Sequence, residues 1–490
     1  MKKLCLAIIL LITLITTIPF QEIKAQYRID ALRYTFELPG QDAANMGMGG
    51  ASVALGQDFG SFVLNPATAA MGSRPSYFSF GLGTRDIREE DSYINQTMEF
   101  SDTQTGITNF GMVFQAPTER GALSFGLGYS QTADFNRALN INDFNDLTTI
   151  TDWFLEAGDD FFEPAFNAIA IDTFTENGEE FIGSSWRPPF SSQYVGVDQY
   201  AEMTERGQMG EYTLFASTEF IENFFVGLSL NLTAGSYSYR RTFIEEQPDI
   251  QNDYDVISIF TDEEINASIG GVHARIGGVY KFLPWFNVGV SYTTPSKLKI
   301  SEDFSNLINT TFVPGTFGDG DVWEDEYSGA FDYTVSRPAR FSIGAAVDDL
   351  GGLSATVSAE RVDYSNINLG FDGERLLERN ENMLIREEYE EVINLRTGLS
   401  YTMDVVTLRA GYALVPSARK DFSKADRQYY SGGVGFGLAE GLTLDFSLQM
   451  GRWEDENILY TFTNNDRLEG EFVDEQVTRF HGIIGLRFAF

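Results

Sequence analysis

Apolar residues alternate with polar or small residues in many segments of this chain, and a two-residue period is that of β-strands. The pattern runs through residues 226–233, 341–347, 406–413 and 442–449. Each of these segments has one apolar face and one polar or small face. The chain is therefore expected to form β-sheets, but a soluble sandwich and a membrane barrel share this alternation, so both stay open.

The lengths of the connections between predicted strands separate these two folds. Fourteen strands are predicted, at residues 75–86, 106–115, 121–131, 210–220, 225–237, 262–282, 285–302, 327–347, 353–364, 392–402, 405–415, 427–438, 442–452 and 476–490. Short turns at 116–120, 221–224, 283–284, 348–352, 403–404 and 439–441 alternate with long segments at 87–105, 132–209, 238–261, 303–326, 365–391, 416–426 and 453–475. An even strand count with short turns at one end and long loops at the other is typical of outer-membrane barrels. The sequence therefore favours a barrel with both chain ends on the periplasmic side.

The composition excludes two further classes of protein. With 43% hydrophobic and 14% aromatic residues, the chain can bury far more apolar surface than a disordered chain does. Its 34 basic and 71 acidic side chains give a formal charge of −37. Binding to nucleic acid requires Lys and Arg against the phosphates, so we expect no nucleic-acid partner.

The first 25 residues have the pattern of a secretory signal peptide. Lys2 and Lys3 precede an apolar run over residues 4–18, and a cleavage point follows Ala25. The alternative is an uncleaved anchor, although the run is shorter than the roughly 20 residues of a spanning helix. Cleavage removes Cys5, the only cysteine, with three Lys and one Glu, which leaves 31 basic and 70 acidic side chains and a charge of −39. The exported chain is then expected to have no disulfide and no transmembrane helix.

The last predicted strand ends on an aromatic residue. Residues 480–490 alternate again, and Phe490 follows Phe488 on the apolar face. A terminal aromatic resembles the signature by which outer-membrane barrels are recognised for insertion, so the barrel-assembly machinery is a predicted partner through Phe490. The alternative is a strand that happens to end the chain, which explains the alternation but not the aromatic.

A segment rich in small residues, 45–84, precedes and enters the first predicted strand, and it contains an Asn-Pro-Ala motif. It resembles the N-terminal plug, or hatch, of the FadL/TodX family of outer-membrane transporters for long-chain fatty acids and hydrocarbons. Members of that family have a Gly-rich start, an acidic position, the Asn-Pro-Ala motif and then the first strand. The matching positions are Gly47, Gly49, Gly50, Asp58, Asn65, Pro66 and Ala67.

The resemblance implies an all-β fold, a transmembrane antiparallel β-barrel of about fourteen strands with the N-terminal plug inside the lumen. The expected division is a signal peptide at 1–25, a plug at 26–74 and a barrel with long extracellular loops at 75–490. A barrel of this size is wide enough to leak solutes, so selective transport needs an interior plug. The alternative is that 27–74 is a linker or a soluble cap.

The expected function is passive uptake of hydrophobic small molecules, foremost long-chain fatty acids, across the cell outer membrane. Substrate would adsorb to the long loops, enter a pocket in the lumen, and leave by plug movement or through a lateral gap. The alternative is a barrel adhesin or structural surface protein that binds a partner through its acidic loops. We expect a monomer in contact with outer-membrane lipid and lipopolysaccharide, with no cofactor. No enzymatic activity is expected, since the sequence has no Gly-x-Ser-x-Gly elbow and no Walker loop.

Two sets of residues are candidates for contact with a hydrophobic substrate. Loop 132–209 contains aromatic residues that could form a capture groove, unless they pack on one another as residues of long loops often do. They are Trp153, Phe154, Phe161, Phe162 and Phe166. A fatty-acid carboxylate would need a cation in the lumen, because a buried unpaired charge is costly. The candidates are Arg275, Arg409 and Arg487, each of which could equally be an ordinary lumen charge paired with an acid or with water.

Acidic residues are concentrated in the long predicted loops. Asp319, Asp321 and Asp325 have a spacing that calcium could use, but no bidentate Glu follows at the required position and no helices flank them. The acidic runs are therefore interpreted as solvated surface charge that divalent ions bridge to lipopolysaccharide, and no metal site is predicted.

Overall fold

The structure is a computed structural model, and it describes residues 25–56, 58–71, 75–176, 178–187, 196–247, 255–317, 321–420, 422–464 and 467–490. The predicted signal peptide lies outside these residues except for its last one. Twenty strands occur in the described part of the chain. In order they are β1 (Tyr77–Tyr93), β2 (Gln96–Ala116), β3 (Leu123–Asp134), β4 (Arg137–Asn145), β5 (Ile171–Glu176), β6 (Glu179–Ser184), β7 (Val197–Ile221), β8 (Phe224–Glu246), β9 (Val256–Leu283), β10 (Phe286–Thr293), β11 (Ser296–Phe312), β12 (Val322–Arg337), β13 (Arg340–Leu350), β14 (Leu353–Asp363), β15 (Asn368–Phe371), β16 (Glu391–Met403), β17 (Val406–Val415), β18 (Arg427–Ala439), β19 (Leu442–Asn464) and β20 (Arg467–Ala489).

Eighteen of these strands form one closed antiparallel sheet, and β5 pairs only with β6 in a separate hairpin. The sheet makes fourteen barrel strands, because the third, seventh, eighth and ninth are interrupted and each counts as two segments. These pairs of segments are β3 with β4, β10 with β11, β12 with β13, and β14 with β15. β1 pairs with β20 from Tyr77 opposite Ala489 to Ser92 opposite Asp474, which closes the barrel. The predicted fourteen-stranded barrel is therefore confirmed.

Proline accounts for two of the interruptions. Pro295 lies between β10 and β11, and Pro338 lies between β12 and β13. Proline has no N–H group to donate to a neighbouring strand, so it ends a ladder where it occurs.

Apolar side chains cover the outside of the barrel and polar side chains face the lumen. On β8, Leu228, Leu230 and Leu232 are exposed, whereas Ser229 and Asn231 between them are buried. This distribution is that of a barrel surrounded by lipid. Among the described residues no helix is both long and apolar enough to cross a membrane, which is a finding about helices alone.

Several strands extend further than the sequence predicts. β1 continues to Tyr93 and β2 begins at Gln96, so most of the predicted loop 87–105 is a paired ladder. β11 and β12 likewise occupy most of the described part of 303–326. Most outward side chains in these extensions are polar or charged, as at Glu90. The apolar alternation that marks a strand in lipid therefore stops, although the backbone pairing continues.

Six α-helices occur in the described residues, three before the barrel and three in its loops. They are α1 (Ala25–Arg33), α2 (Ala43–Gly47), α3 (Phe59–Leu64), α4 (Ile150–Phe154), α5 (Asp159–Asn167) and α6 (Arg375–Glu388). Asp42 and Asp58 begin α2 and α3, because each carboxylate accepts a hydrogen bond from a backbone N–H of its helix. Asp42 also accepts from the Gly60 N–H at 2.7 Å, which joins the two helices.

Almost every described residue between 38 and 71 is buried, and we call 38–71 the plug segment. It contacts strands on all sides of the barrel and therefore lies in the lumen. The outer bounds of the plug, 26–74, stay a prediction.

Candidate functional site

The Asn-Pro-Ala motif fixes the plug segment both to itself and to the barrel. Asn65 is fully buried, and its Nδ2 donates to the Val53 carbonyl at 2.7 Å and to the Gly278 carbonyl on β9 at 3.4 Å. Its Oδ1 accepts from the Ala67 N–H at 3.1 Å, which caps the short 3-10 turn Pro66–Ala70. The motif therefore organises the plug backbone and joins it to β9.

Glycines allow the plug backbone to approach the lumen-facing side of the strands. A Cβ atom on Gly277 would lie 1.8 Å from the Asn65 Oδ1, and one on Gly227 would lie 2.4 Å from the Ala67 nitrogen. Gly49 in the plug has a φ of +66°, and a Cβ there would lie 2.8 Å from the Thr397 carbonyl oxygen. Only glycine fits such positions without displacing backbone. Of the other matching positions, Gly47 packs against Arg409, Gly50 has a φ of +73°, and Asp58 caps α3.

Lumen-facing side chains donate hydrogen bonds to backbone carbonyls of the plug segment. Ser217 donates to Ala67 at 3.0 Å, and Ser291 donates to Leu64 at 2.9 Å. Further donors are Ser124 to Ala69 (3.0 Å), Thr356 to Ala51 (2.6 Å), Ser447 to Ala43 (2.5 Å) and Gln449 to Pro39 (3.2 Å). These donors belong to strands spread around the barrel, so the plug is held from several sides.

The structure places the three predicted lumen cations around the plug. Arg275 donates to the Val63 carbonyl at the end of α3 and lies 3.7 Å from Glu211. Arg409 forms an ion pair with Asp445 at 2.7 Å and packs against Gly47. Arg487 lies over the ring of Tyr77 and donates to Thr443 at 3.5 Å. None of the three lines the lumen cavity described next.

A cavity of about 460 Å³ lies in the lumen between α1, the interrupted third barrel strand and the long loop. Its volume is within the roughly 300–1,000 Å³ of pockets that hold ligands. Large apolar side chains from all three elements line it together with charged groups. The principal apolar residues are Leu32, Phe36, Phe135, Trp153, Phe161 and Trp453.

The aromatic residues of the long loop form one packed cluster. Trp153 and Phe161 have ring centroids 4.4 Å apart and both line the cavity, whereas Phe154 is fully buried. Phe162 and Phe166 stack at 6.3 Å and pack against the same cluster. The predicted capture residues are thus brought together, and two of the five face the lumen cavity.

The helix that carries Trp153 begins with a capping box. The Thr149 side chain accepts a hydrogen bond from the backbone N–H of Asp152, and the Asp152 carboxylate accepts one from the backbone N–H of Thr149. Asp152 also lies 3.2 Å from Arg187. Burial raises the pKa of the Asp152 carboxyl above its ordinary value, and the Arg187 charge opposes that shift.

Six arginines line the cavity, and five of them are paired with carboxylates. The pairs are Arg33 with Glu205, Arg137 with Glu475, Arg241 with Glu263, Arg419 with Asp455, and Arg479 with Asp134. Arg427 differs, because its guanidinium lies between the ring of Phe36 at 4.1 Å and that of Trp453 at 4.8 Å. Within the described residues it forms no ion pair, although Asp455 is near enough to attract it. Arg427 is not among the predicted lumen cations.

The third barrel strand breaks at Phe135 and Asn136, between β3 and β4. Phe135 turns into the lumen and packs on the rings of Tyr34 at 5.6 Å and Tyr237 at 5.9 Å. Gly207 on β7 lies opposite with a φ of +136°, and its carbonyl accepts from the Phe135 N–H at 3.0 Å. The break thus follows from aromatic packing of one side chain and a glycine on the neighbouring strand. Gly126 and Gly128, earlier on β3, lie in regular ladder positions.

The backbone pairing of the barrel wall is interrupted beside this break, and we call this interruption the lateral gap. β2 pairs with β3 only from Asn109 onward, and its first half, 96–108, pairs with β1 alone. β4 pairs with β7, and no backbone pairing joins β4 to β2. Ala133, Asp134 and Phe135 at the break also line the lumen cavity. The cavity therefore reaches the position where the wall is unpaired.

The outer surface next to the gap is apolar. Phe110, Tyr129 and Tyr212 form an aromatic row there, with ring centroids 5.7 Å and 5.1 Å apart, as at a membrane interface. Below them an outward-facing groove of about 430 Å³ is lined by Leu127, Leu214, Leu230 and Leu232, among other residues. A closed barrel, a lumen filled by its own N-terminal segment, and a cavity that leads to a gap facing lipid define an outer-membrane transport channel.

Comparison with known families agrees with this class. The family described as "Outer membrane protein transport protein (OMPP1/FadL/TodX)" matches residues 226–479, just over half of the chain. The chain belongs to this family, whose members are outer-membrane channels that transport hydrophobic substrates. No curated protein sequence matches the chain.

Solved structures share the fold at low sequence identity. A Pseudomonas aeruginosa FadL homologue is 15% identical with a TM-score of 0.55, and the match covers 93% of this chain and 100% of that one. The P. putida toluene transporter TodX is 13% identical with a TM-score of 0.54, over 92% and 99% of the two chains. The Ralstonia pickettii toluene transporter TbuX is 15% identical with a TM-score of 0.51, also over 92% and 99%.

Proposed function

We propose that this channel takes up long-chain fatty acids without an energy source of its own. The fatty acid adsorbs to the loop over 132–209, enters the lumen cavity, and leaves through the gap between β2 and β4 or after movement of the plug. The observation that carries the proposal is the cavity itself, since its lining includes loop aromatics at one side and the strand break at the other.

The charges of the cavity favour an amphipathic acid as its ligand. Arg427 is a cation whose neighbours are two aromatic rings and which has no ion-pair partner among the described residues. A carboxylate at that position would gain a charge-assisted hydrogen bond, and the alkyl chain would lie along the apolar lining. A neutral hydrocarbon such as toluene, which the named transporters TodX and TbuX carry, has no group that requires this cation.

The plug motif has a separate part in the proposal. Asn65, Pro66 and Ala67 seat the segment that blocks the periplasmic half of the lumen, so they prevent leakage of hydrophilic solutes. Arg275, Arg409 and Arg487 support this seal through their contacts with the plug and neighbouring strands.

The test compares Arg427→Met with Arg452→Met, since Arg452 is an exposed, outward-facing residue near the same cavity lining. Fluorescent fatty-acid binding to the purified barrels and uptake of labelled oleate and labelled toluene by a strain without other such channels are measured. Loss of one bond to a charged group, about 1.5–3 kcal/mol, should weaken fatty-acid affinity by roughly ten-fold or more in Arg427→Met. Toluene uptake should be unchanged in both variants.

Equal oleate binding by the two variants would show that Arg427 does not bind the fatty-acid carboxylate. Absence of both oleate and toluene uptake by the unaltered chain would contradict the transport proposal and favour a surface protein that binds partners through its loops.

A further inference from the structure

The inward-facing side chains of β1 reach across β2 to the interrupted third strand. β1 and β4 are not neighbours in the sheet, since β2 lies between β1 and the third strand. Yet the Ala138 N–H donates to the Glu89 Oε2 at 3.2 Å, and the Asn140 N–H donates to the Asp91 Oδ2 at 3.0 Å. β4 therefore lies over the lumen face of β1, and although it is also near β2 it forms no backbone ladder with it.

These two contacts belong to a longer series on alternate residues of β1. Arg85 lies 3.2 Å from Asp134 before the break, and Tyr93 accepts from the Asn145 Nδ2 at 3.2 Å at the end of β4. All four β1 residues of the series, 85, 89, 91 and 93, are buried and face the lumen. Side chains thus replace the backbone ladder that an unbroken third strand would make with β2.

The Glu89 and Asp91 carboxylates differ from the other members of this series, because they accept hydrogen bonds from backbone N–H groups of β4. An edge strand presents unpaired N–H groups that pair with any available strand. Two N–H groups of β4, at 138 and 140, are taken by side-chain oxygens, and the edge of β2 over 96–108 is left without a strand partner.

We propose that Glu89 and Asp91 hold the lateral gap open by accepting hydrogen bonds from the edge of β4 and so keeping it from pairing with β2. They are positioning residues, which act on the backbone and not on the substrate. Without them β4 joins the edge of β2 and the wall closes. The functional consequence rests on the proposed lateral exit of the fatty acid, whereas the structural consequence does not.

The test uses three variants in the full chain. Glu89→Ala with Asp91→Ala removes both acceptors, and Glu89→Gln with Asp91→Asn keeps an oxygen that can accept from each N–H. Glu90→Ala is the matched control, because Glu90 lies between them on β1 and faces outward into solvent. Heat-modifiable gel mobility first shows that each barrel has folded.

Hydrogen exchange of the purified barrels measures the gap directly. In the double alanine variant, the amides over 97–108 that point away from β1 should exchange roughly ten-fold more slowly or more, because they gain β4 as a strand partner. The variant with Glu89→Gln and Asp91→Asn should exchange at the same rate as the unaltered chain, and so should Glu90→Ala. Unchanged exchange over 97–108 in the double alanine variant would overturn the proposal.

Oleate uptake and oleate binding, measured on the same variants, separate this inference from the transport function. Slower exchange over 97–108 with reduced uptake and intact binding supports both the bracing role of Glu89 and Asp91 and the lateral exit of the fatty acid. Slower exchange with unchanged uptake supports the bracing role of Glu89 and Asp91, and it shows that substrate leaves by another route.

Discussion

The seating of the plug depends on hydrogen bonds from wall side chains to plug carbonyls, and two of these bonds can be removed almost without a change of shape. Ser217→Ala with Ser291→Ala deletes the donors to Ala67 and Leu64, at 3.0 Å and 2.9 Å. The two bonds lie on either side of the Asn65-Pro66 pair. Alanine fills nearly the same space as serine, so the packing of the lumen is retained.

The expected magnitude follows from the two lost bonds. Each neutral hydrogen bond contributes about 1 kcal/mol, and a buried carbonyl that keeps no partner adds a further cost. The double variant should therefore weaken plug seating by about 2 kcal/mol or more. Since about 1.4 kcal/mol is a factor of ten, the population with an unseated plug should rise roughly thirty-fold.

Single-channel recording in planar bilayers measures this population as the frequency of open events. Ser229→Ala is the matched control, because Ser229 is also a buried, lumen-facing serine, and the bond it accepts comes from Asn231 and not from the plug. The double variant should open far more often than the control. Equal opening frequencies in the two would refute the account of how the plug is held.

Two further predictions concern the strand break. Gly207→Ala places a Cβ 2.2 Å from the Ser236 carbonyl oxygen at a φ of +136°, so it should destabilise the barrel by roughly 1–3 kcal/mol, measured as a lower temperature of the heat-modifiable shift. Gly270→Ala, where nothing lies within 4 Å of the new atom, should leave that temperature unchanged, and equal shifts would contradict the prediction. Phe135→Ala removes the ring packed on Tyr34 and Tyr237, a loss of about 3–5 kcal/mol, and should speed trypsin cleavage after Arg33 in α1. Phe125 lies on the same strand and faces lipid, so Phe125→Ala should not change the rate of this cleavage. Cleavage as slow in Phe135→Ala as in Phe125→Ala would show that Phe135 does not anchor α1.

The barrel was predictable from the sequence because its signal is local and repeated. Each lipid-facing strand carries its own two-residue alternation, and each short turn is visible between two such strands. The strand extensions beyond the membrane were not predictable, since polar side chains such as Glu90 face water there and no apolar period remains. The plug motif was recognised because Asn65, Pro66 and Ala67 are adjacent in sequence.

The strand break and the position of Arg427 were missed for a common physical reason. Nothing at Phe135 or Asn136 resembles a strand terminator, and the break depends on Tyr34 and Tyr237, which are distant in sequence. Whether a lumen arginine is paired likewise depends on residues far along the chain. Arg409 has Asp445 as its partner two strands away, whereas Arg427 lies between two aromatic rings and forms no ion pair among the residues that the structure describes.

In the proposed path, a fatty acid passes from the lumen cavity through the gap in the third strand to the lipid-facing groove. A photo-activatable fatty acid, bound to the purified barrel, irradiated and mapped by peptide mass spectrometry, tests this path most directly. Labels are expected in the cavity near Arg427, at the break near Phe135, and in the groove near Leu127 and Leu214. Labels confined to the plug and to the periplasmic turns, with none at the break or in the groove, would contradict it.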